Sequence, residues 1–250
     1  MVNGMEITVL NTPPLTQRLR KHFNCSTLEG AYLENQGTFA SIGSHFERRV
    51  FYNEVFFTSF PPSLNNSKFM TASVIKEARF SEFTLALLEG TGWYQVNYSY
   101  AEPMTYGRNE GCAFLDTPCM NKGTKMVNFQ EFCSPLGSLG VSWAKRAFGS
   151  CGSFPPSKAS ASLPDYFDYW GNGVAVEDKF ADNCPHIQIH RDTDCEDTLS
   201  QGFAYLKGYE YFGYGSKAFL GYMAVRYRTE SIFGFCFKTK VQFCSIDPLI

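Results

Sequence analysis

The sequence predicts an α+β chain in which two amphipathic helices lie before a loop-rich, cysteine-bearing part with short strands. Three observations predict it. Apolar residues recur at helical spacing only before residue 90, aromatics approach strand-like alternation over Tyr205 to Tyr227, and nine cysteines are dispersed from Cys25 to Cys244 among frequent Gly and Pro.

In the first segment Leu15, Leu19 and Phe23 fall at i, i+4 and i+8, Thr12 can cap, and Pro13 and Pro14 occupy a first turn where their missing N–H is harmless. His22, near the end of that helix, is expected to act as a C-terminal dipole partner. Gly30 to Val55 reads as loop followed by turn. A longer helix is expected over about residues 73–90, with Ser73 as N-cap, Phe80, Phe83, Leu87 and Leu88 on one face, and Gly90 or Gly92 ending it. A domain boundary is placed near residues 100–106, which divides the chain into 1–105 and 106–250. Beyond it Gly, Pro and Cys cut every regular element short, and Cys151 to Pro164 reads as an exposed Ser/Pro/Ala loop.

Composition excludes several functions. The chain has 250 residues, 22 Lys+Arg against 24 Asp+Glu and 44% hydrophobic residues, which suits a folded domain and lacks the basic excess of a nucleic-acid binder. Apolar stretches such as Phe219 to Val225 fall far short of the roughly 18 residues a membrane span needs. The amino end has neither the basic nor the apolar region of a secretory signal, yet scattered cysteines point to disulfides and an oxidising compartment. Asn24, Asn65 and Asn97 each head an Asn-x-Ser acceptor for N-linked glycan.

Four histidines are present. His186 and His190 are spaced so that a strand would place them on one face. That permits a metal pair, but no Glu follows the first, and the plainer reading is an ordinary polar face. His45, in Gly43-Ser44-His45-Phe46-Glu47, reads on residue chemistry alone as a hydrogen-bonded loop histidine.

Four blocks change that reading. They are Arg20 to Gly30, Leu33-Glu34-Asn35-Gln36-Gly37 with Gly43-Ser44-His45-Phe46-Glu47-Arg48-Arg49, Phe80 to Ser99, and Ala101-Glu102-Pro103-Met104 running into Gly107 to Leu115 and Cys119-Met120. In order and spacing they resemble leishmanolysin-like zinc metallopeptidases, with the flavour of protozoan, ciliate-type surface members. The resemblance implies the carboxyl-terminal part of a metzincin-like catalytic domain followed by a disulfide-rich, loop-rich mixed domain. It makes His45 the third zinc ligand and zinc the cofactor, with peptides or proteins as substrates and the cell surface or the extracellular space as the location. Two histidines and the general-base Glu would come from a His-Glu-x-x-His helix, a motif this sequence does not contain, so no catalytic residue is assigned and the 250 residues alone are expected to be inactive.

The same resemblance pairs Cys25 with Cys112, Cys119 with Cys184, Cys133 with Cys151, and Cys195 with Cys236, and leaves Cys244 over. It also assigns the Met-turn to Met70, displaced from position 56 by the fourteen residues Phe56 to Phe69, which are expected to be a surface loop or an unspliced intron. Both ends of the chain are expected to be cut relative to the parent. The rival reading is a non-catalytic surface adhesion or interaction module that keeps the disulfide scaffold and contacts partners through the aromatic tail Tyr205 to Phe237.

Overall fold

A computed structural model describes residues 6–36, 42–52, 54, 79–152, 157–158, 165–171, 173–175, 179–203, 208–223 and 231–239. The expected insertion 56–69, Met70, Ser73, Asn65 and Cys244 lie outside them. In chain order the elements are β1 (Val9–Leu10), α1 (Pro13–Phe23), β2 (Ala31–Tyr32), α2 (Glu82–Gly90), α3 (Cys112–Asp116), β3 (Leu139–Val141), β4 (Ala147–Cys151), β5 (Ser157–Lys158), β6 (Val174–Ala175), β7 (Ile187–Asp194), β8 (Ser216–Met223) and β9 (Ser231–Lys238), with single 3-10 turns at Tyr98–Tyr100, Lys179–Ala181 and Thr198–Phe203. The fold is mixed α and β, with small sheets and four disulfides.

The chain divides into two compact units, Met1–Ser138 with Cys151–His186, and Leu139–Ser150 with Ile187–Ile250. Residues 100–106, where composition changes, fall inside the first.

In the first unit α1 presents Leu15, Leu19 and Phe23 to the interior. Thr12 does not cap it with its side chain, because Pro14 has no amide to offer at the second position and the Thr12 hydroxyl faces Gly90, where an added Cβ would lie only 2.5 Å from it. Phe23 joins Phe51, Phe83 and Phe114 in an aromatic cluster with ring centroids 5.9–6.5 Å from Phe23, a geometry worth about 0.5–1.5 kcal/mol per pair beyond burial. His22 is a correction to expectation. Its ring is 4% exposed between the edges of Phe23 and Phe83, its Nε2 lies 2.8 Å from the Tyr106 carbonyl, and burial pushes its pKa down. It is a neutral core residue, and Arg20 and Lys21 are left to meet the helix dipole.

The second helix starts later than its periodicity predicts. Phe80 is held extended by Glu102, whose amide donates to the Phe80 carbonyl at 2.8 Å and whose carboxylate accepts from the Phe80 amide at 3.0 Å. The helix therefore opens at Glu82, with Ser81 Oγ accepting from the Phe83 amide at 3.0 Å. Its buried residues are Phe83, Thr84, Leu85 and Ala86, with Leu87 and Leu88 only half-buried. Within the segment read as loop, Ala31 and Tyr32 pair with Leu10 and Val9. Gly30 permits the approach, since a Cβ there would sit 2.4 Å from the Leu10 carbonyl oxygen. A partner more than twenty residues upstream leaves no local signature. Disulfides Cys25–Cys112, Cys119–Cys184 and Cys133–Cys151 close chain separations of 87, 65 and 18 residues in this unit.

In the second unit β3, β4 and β7 form a three-stranded sheet in that order, and β8 and β9 pair antiparallel over eight positions from Ser216↔Lys238 to Met223↔Ser231. Phe148, Cys195, Phe212, Ala218 and Cys236 make its core, tied by the Cys195–Cys236 disulfide. Of the aromatic stretch, Ser216–Met223 is strand, with Ala218 buried and Phe219 partly exposed, whereas Tyr209, Tyr211 and Tyr214 precede it outside any strand and are exposed.

Gly149 of β4 is required where that strand meets β7, because a Cβ there would lie 1.9 Å from the Gln188 carbonyl oxygen. Gly149→Ala is expected to cost about 3 kcal/mol, whereas Gly123→Ala, whose nearest neighbour would be 3.4 Å away, should stay within about 0.5 kcal/mol. Thermal unfolding of the oxidised protein by circular dichroism checks the difference.

Candidate functional site around His45

The loop carrying His45 is built on backbone pairing. The Glu34 amide donates to the His45 carbonyl at 2.8 Å, the Gly43 amide to the Glu34 carbonyl at 2.9 Å, and the Glu47 amide to the Tyr32 carbonyl at 2.9 Å, with Leu33 and Phe46 paired antiparallel. Gly43 makes the turn at φ +70°, which glycine alone adopts without strain. Phe46 is completely buried against Phe51 (centroids 4.9 Å), while the His45 side chain is half-exposed with its Nδ1 3.1 Å from Ser44 Oγ.

Directly after His45 the chain dives into a buried polar network. The Arg49 guanidinium is 3% exposed and ion-pairs with Asp182 at 3.1 Å. Its terminal nitrogens donate to the carbonyls of Phe114 (2.9 Å), Thr117 (3.4 Å) and Leu115, the orphan acceptors at the end of α3. Gln36 donates to Asp182 at 2.6 Å, and Glu47 and Glu34 accept from the amides of Arg49 (3.2 Å) and Gln36 (2.9 Å). Burial holds Glu47 well above the usual carboxylate range, and the charges of Asp182 and Glu34 add to the effect. Burial also raises Asp182, with Arg49 and Gln36 opposing it.

On the other side Arg48 lies over the Tyr52 ring at 4.6 Å, and Tyr52 stacks on His186 with centroids 3.9 Å apart. His186 is 2% exposed, with Nδ1 3.1 Å from the Cys184 carbonyl and Nε2 3.0 Å from the Tyr106 hydroxyl, which also donates to the Arg49 carbonyl at 3.0 Å. His190, on β7, has its Nε2 2.9 Å from Ser150 Oγ. The two imidazoles have separate partners, and strand spacing alone does not make them a ligand pair.

Glu54 is the next anchor. Its buried carboxylate accepts from the Thr84 hydroxyl (2.5 Å) and the Ser81 amide (3.4 Å) at the start of α2, and burial pushes its pKa up to about 7 against those two donors. Asn24 is exposed at the left-handed cap of α1 (φ 55°), and Asn97 is exposed after α2. Arg49, Asp182 and Glu54 carry this arrangement, yet residue chemistry alone does not single them out. The one signal available is the charged run Glu47-Arg48-Arg49 followed by Val50-Phe51-Tyr52, too rich in charge for an apolar stretch unless the charges are paired.

Among the described residues no group of three or more His, Cys, Asp or Glu is placed to hold a metal ion. The donors present fit zinc as one imidazole and not as a cage.

The family model described as leishmanolysin, a peptidase family, matches residues 2–245. The chain belongs to the leishmanolysin family. It is similar to a leishmanolysin-like peptidase of Caenorhabditis briggsae (30% identical over 76% of this chain and 31% of the relative) and to leishmanolysin of Leishmania donovani (30% identical over 83% and 32%). A leishmanolysin-like peptidase of Drosophila melanogaster is 39% identical over 52% of this chain and 18% of the relative. The chain therefore spans about a third or less of the length of these relatives.

Two outcomes follow from the network. Arg49→Met leaves Asp182 with Gln36 but no cation beside it, takes a donor from each of three carbonyls, and is expected to cost about 3–5 kcal/mol. Arg49→Lys rescues little of that, since one ammonium cannot span the same acceptors. Urea unfolding of the oxidised protein measures both. For Glu54 the folded pKa lies above the unfolded value of 4.5, so its contribution is fully present below pH 4.5 and is lost as pH rises through about 7. The stability of the parent minus that of Glu54→Gln should fall by up to about 3 kcal/mol between those limits, and chemical denaturation at stepped pH reads it directly.

Proposed function

We propose that this chain is the part of a secreted or cell-surface zinc metalloendopeptidase that supplies the third metal-ligating histidine, His45, together with the scaffold that holds it, and that its substrates are peptides or proteins. The observation that carries the proposal is the placement of His45. It stands half-exposed on a loop whose neighbours Phe46 and Arg49 are buried and clamped, so an imidazole is presented outward from a backbone that has little freedom to move. Family membership supplies the chemistry that such a position serves. Four disulfides support folding in an oxidising compartment, and no helix among the described residues is long and apolar enough to cross a membrane.

On this reading bound zinc supplies Lewis acidity, and the chain's own work is positional. Ser44 and the Glu34 backbone orient the histidine, and Arg49 fixes the loop to α3. Met70 takes the Met-turn role in the same proposal. The remaining two histidines and the general base come from a His-Glu-x-x-His helix that this sequence does not contain.

The test joins the chain behind the preceding portion of a leishmanolysin relative. Zinc-dependent peptide cleavage is expected from the fusion. His45→Ala should reduce it by more than the roughly 100-fold that losing even an outer partner of a ligand can cost, while His190→Ala should leave it unchanged. The 250 residues alone should not cleave casein. Equal activity with and without the His45 side chain would overturn the assignment.

A further inference from the structure

The segment between α2 and residue 101 carries a feature unrelated to the His45 loop. Trp93, Tyr94 and Tyr100 are 85%, 55% and 74% exposed, three large aromatic rings displayed within eight residues of one another. Isolated exposed apolar residues are ordinary, but a run of this kind marks a surface that something covers. In the middle of the run stands Asn97-Tyr98-Ser99, an N-linked glycan acceptor.

The local structure presents that acceptor well. Tyr98 is pinned, with the Arg18 guanidinium 3.5 Å above its ring and its hydroxyl donating to Glu89 at 2.5 Å. Asn97 is exposed at the start of the 3-10 turn, and its Oδ1 accepts from the Ser99 amide at 3.0 Å. That bond engages the oxygen and not Nδ2, on a residue that is exposed. Sugar rings carry faces of C–H groups that pack on aromatic rings, so a glycan rooted here would cover apolar area that water otherwise meets.

We propose that Asn97 is N-glycosylated and that the proximal sugars lie against Trp93 and its aromatic neighbours. The donor is a lipid-linked oligosaccharide diphosphate of the secretory pathway. A bond forms between Asn97 Nδ2 and C1 of the reducing sugar while the C1–O bond to the diphosphate breaks. The lipid diphosphate leaves with that electron pair, the amide proton passes to the transferase base, and no redox change occurs. The inference needs passage through the oxidising secretory compartment, which the four disulfides support, and it does not depend on any peptidase activity.

The test secretes the full chain from eukaryotic cells behind a foreign signal peptide and maps peptides after glycosidase treatment in heavy-oxygen water. Conversion of Asn97 to labelled Asp is expected, and Ser99→Ala should abolish it. Unmodified Asn97 in secreted, disulfide-bonded protein would overturn the proposal without touching the His45 reading. The cover over the rings is tested on the same material. Enzymatic removal of the glycan should raise iodide quenching of tryptophan fluorescence, and Trp93→Phe should remove that increment. Quenching that does not change on deglycosylation would overturn the packing of sugars on Trp93.

Discussion

A guanidinium buried to 3% exposure organises the first unit. Arg49 arrives four residues after His45 and spends its donors on Asp182 and on the carbonyls that end α3. Those acceptors could not stay buried unpaired, and the charge could not stay buried without them. Removing either side strands the other. The consequence is geometric, because the stretch Phe46 to Phe51 is buried and His45, the residue before it, is left half-exposed at its edge.

The disulfides reinforce the same point from outside the network. Cys112 opens α3 and is bonded to Cys25 just past α1, while Cys184, two residues beyond Asp182, is bonded to Cys119 just past α3. Each end of the helix whose carbonyls Arg49 satisfies is thus covalently tied. A helix of five residues has almost no stability of its own, so its position is owed to these ties and to the guanidinium. Glu54 does the equivalent for α2, with a carboxyl that burial pushes up in pKa while Ser81 and Thr84 oppose the shift.

Periodicity served well where a helix buries one stripe, as with Leu15, Leu19 and Phe23. It failed at Phe80, because Glu102 offers that residue an extended pairing that no window around Phe80 contains. It failed in a different way at His22, where position at a helix end suggested a charge and the surrounding rings impose a neutral core imidazole. The β1–β2 pairing was invisible for the same reason as the Glu102 contact, since its partners are far apart in the chain.

What the sequence alone determined is the family, carried by ordered blocks around His45, Cys112 and Cys119, together with the α+β class. Tertiary structure decided which charges are buried and against what. Arg49, Asp182, Glu47 and Glu54 read locally as ordinary solvated residues. Only folding brings a carboxylate 133 positions away to 3.1 Å from the guanidinium, and the energy of a charge depends on that neighbour and on the exclusion of water, neither of which is encoded in any short stretch of chain.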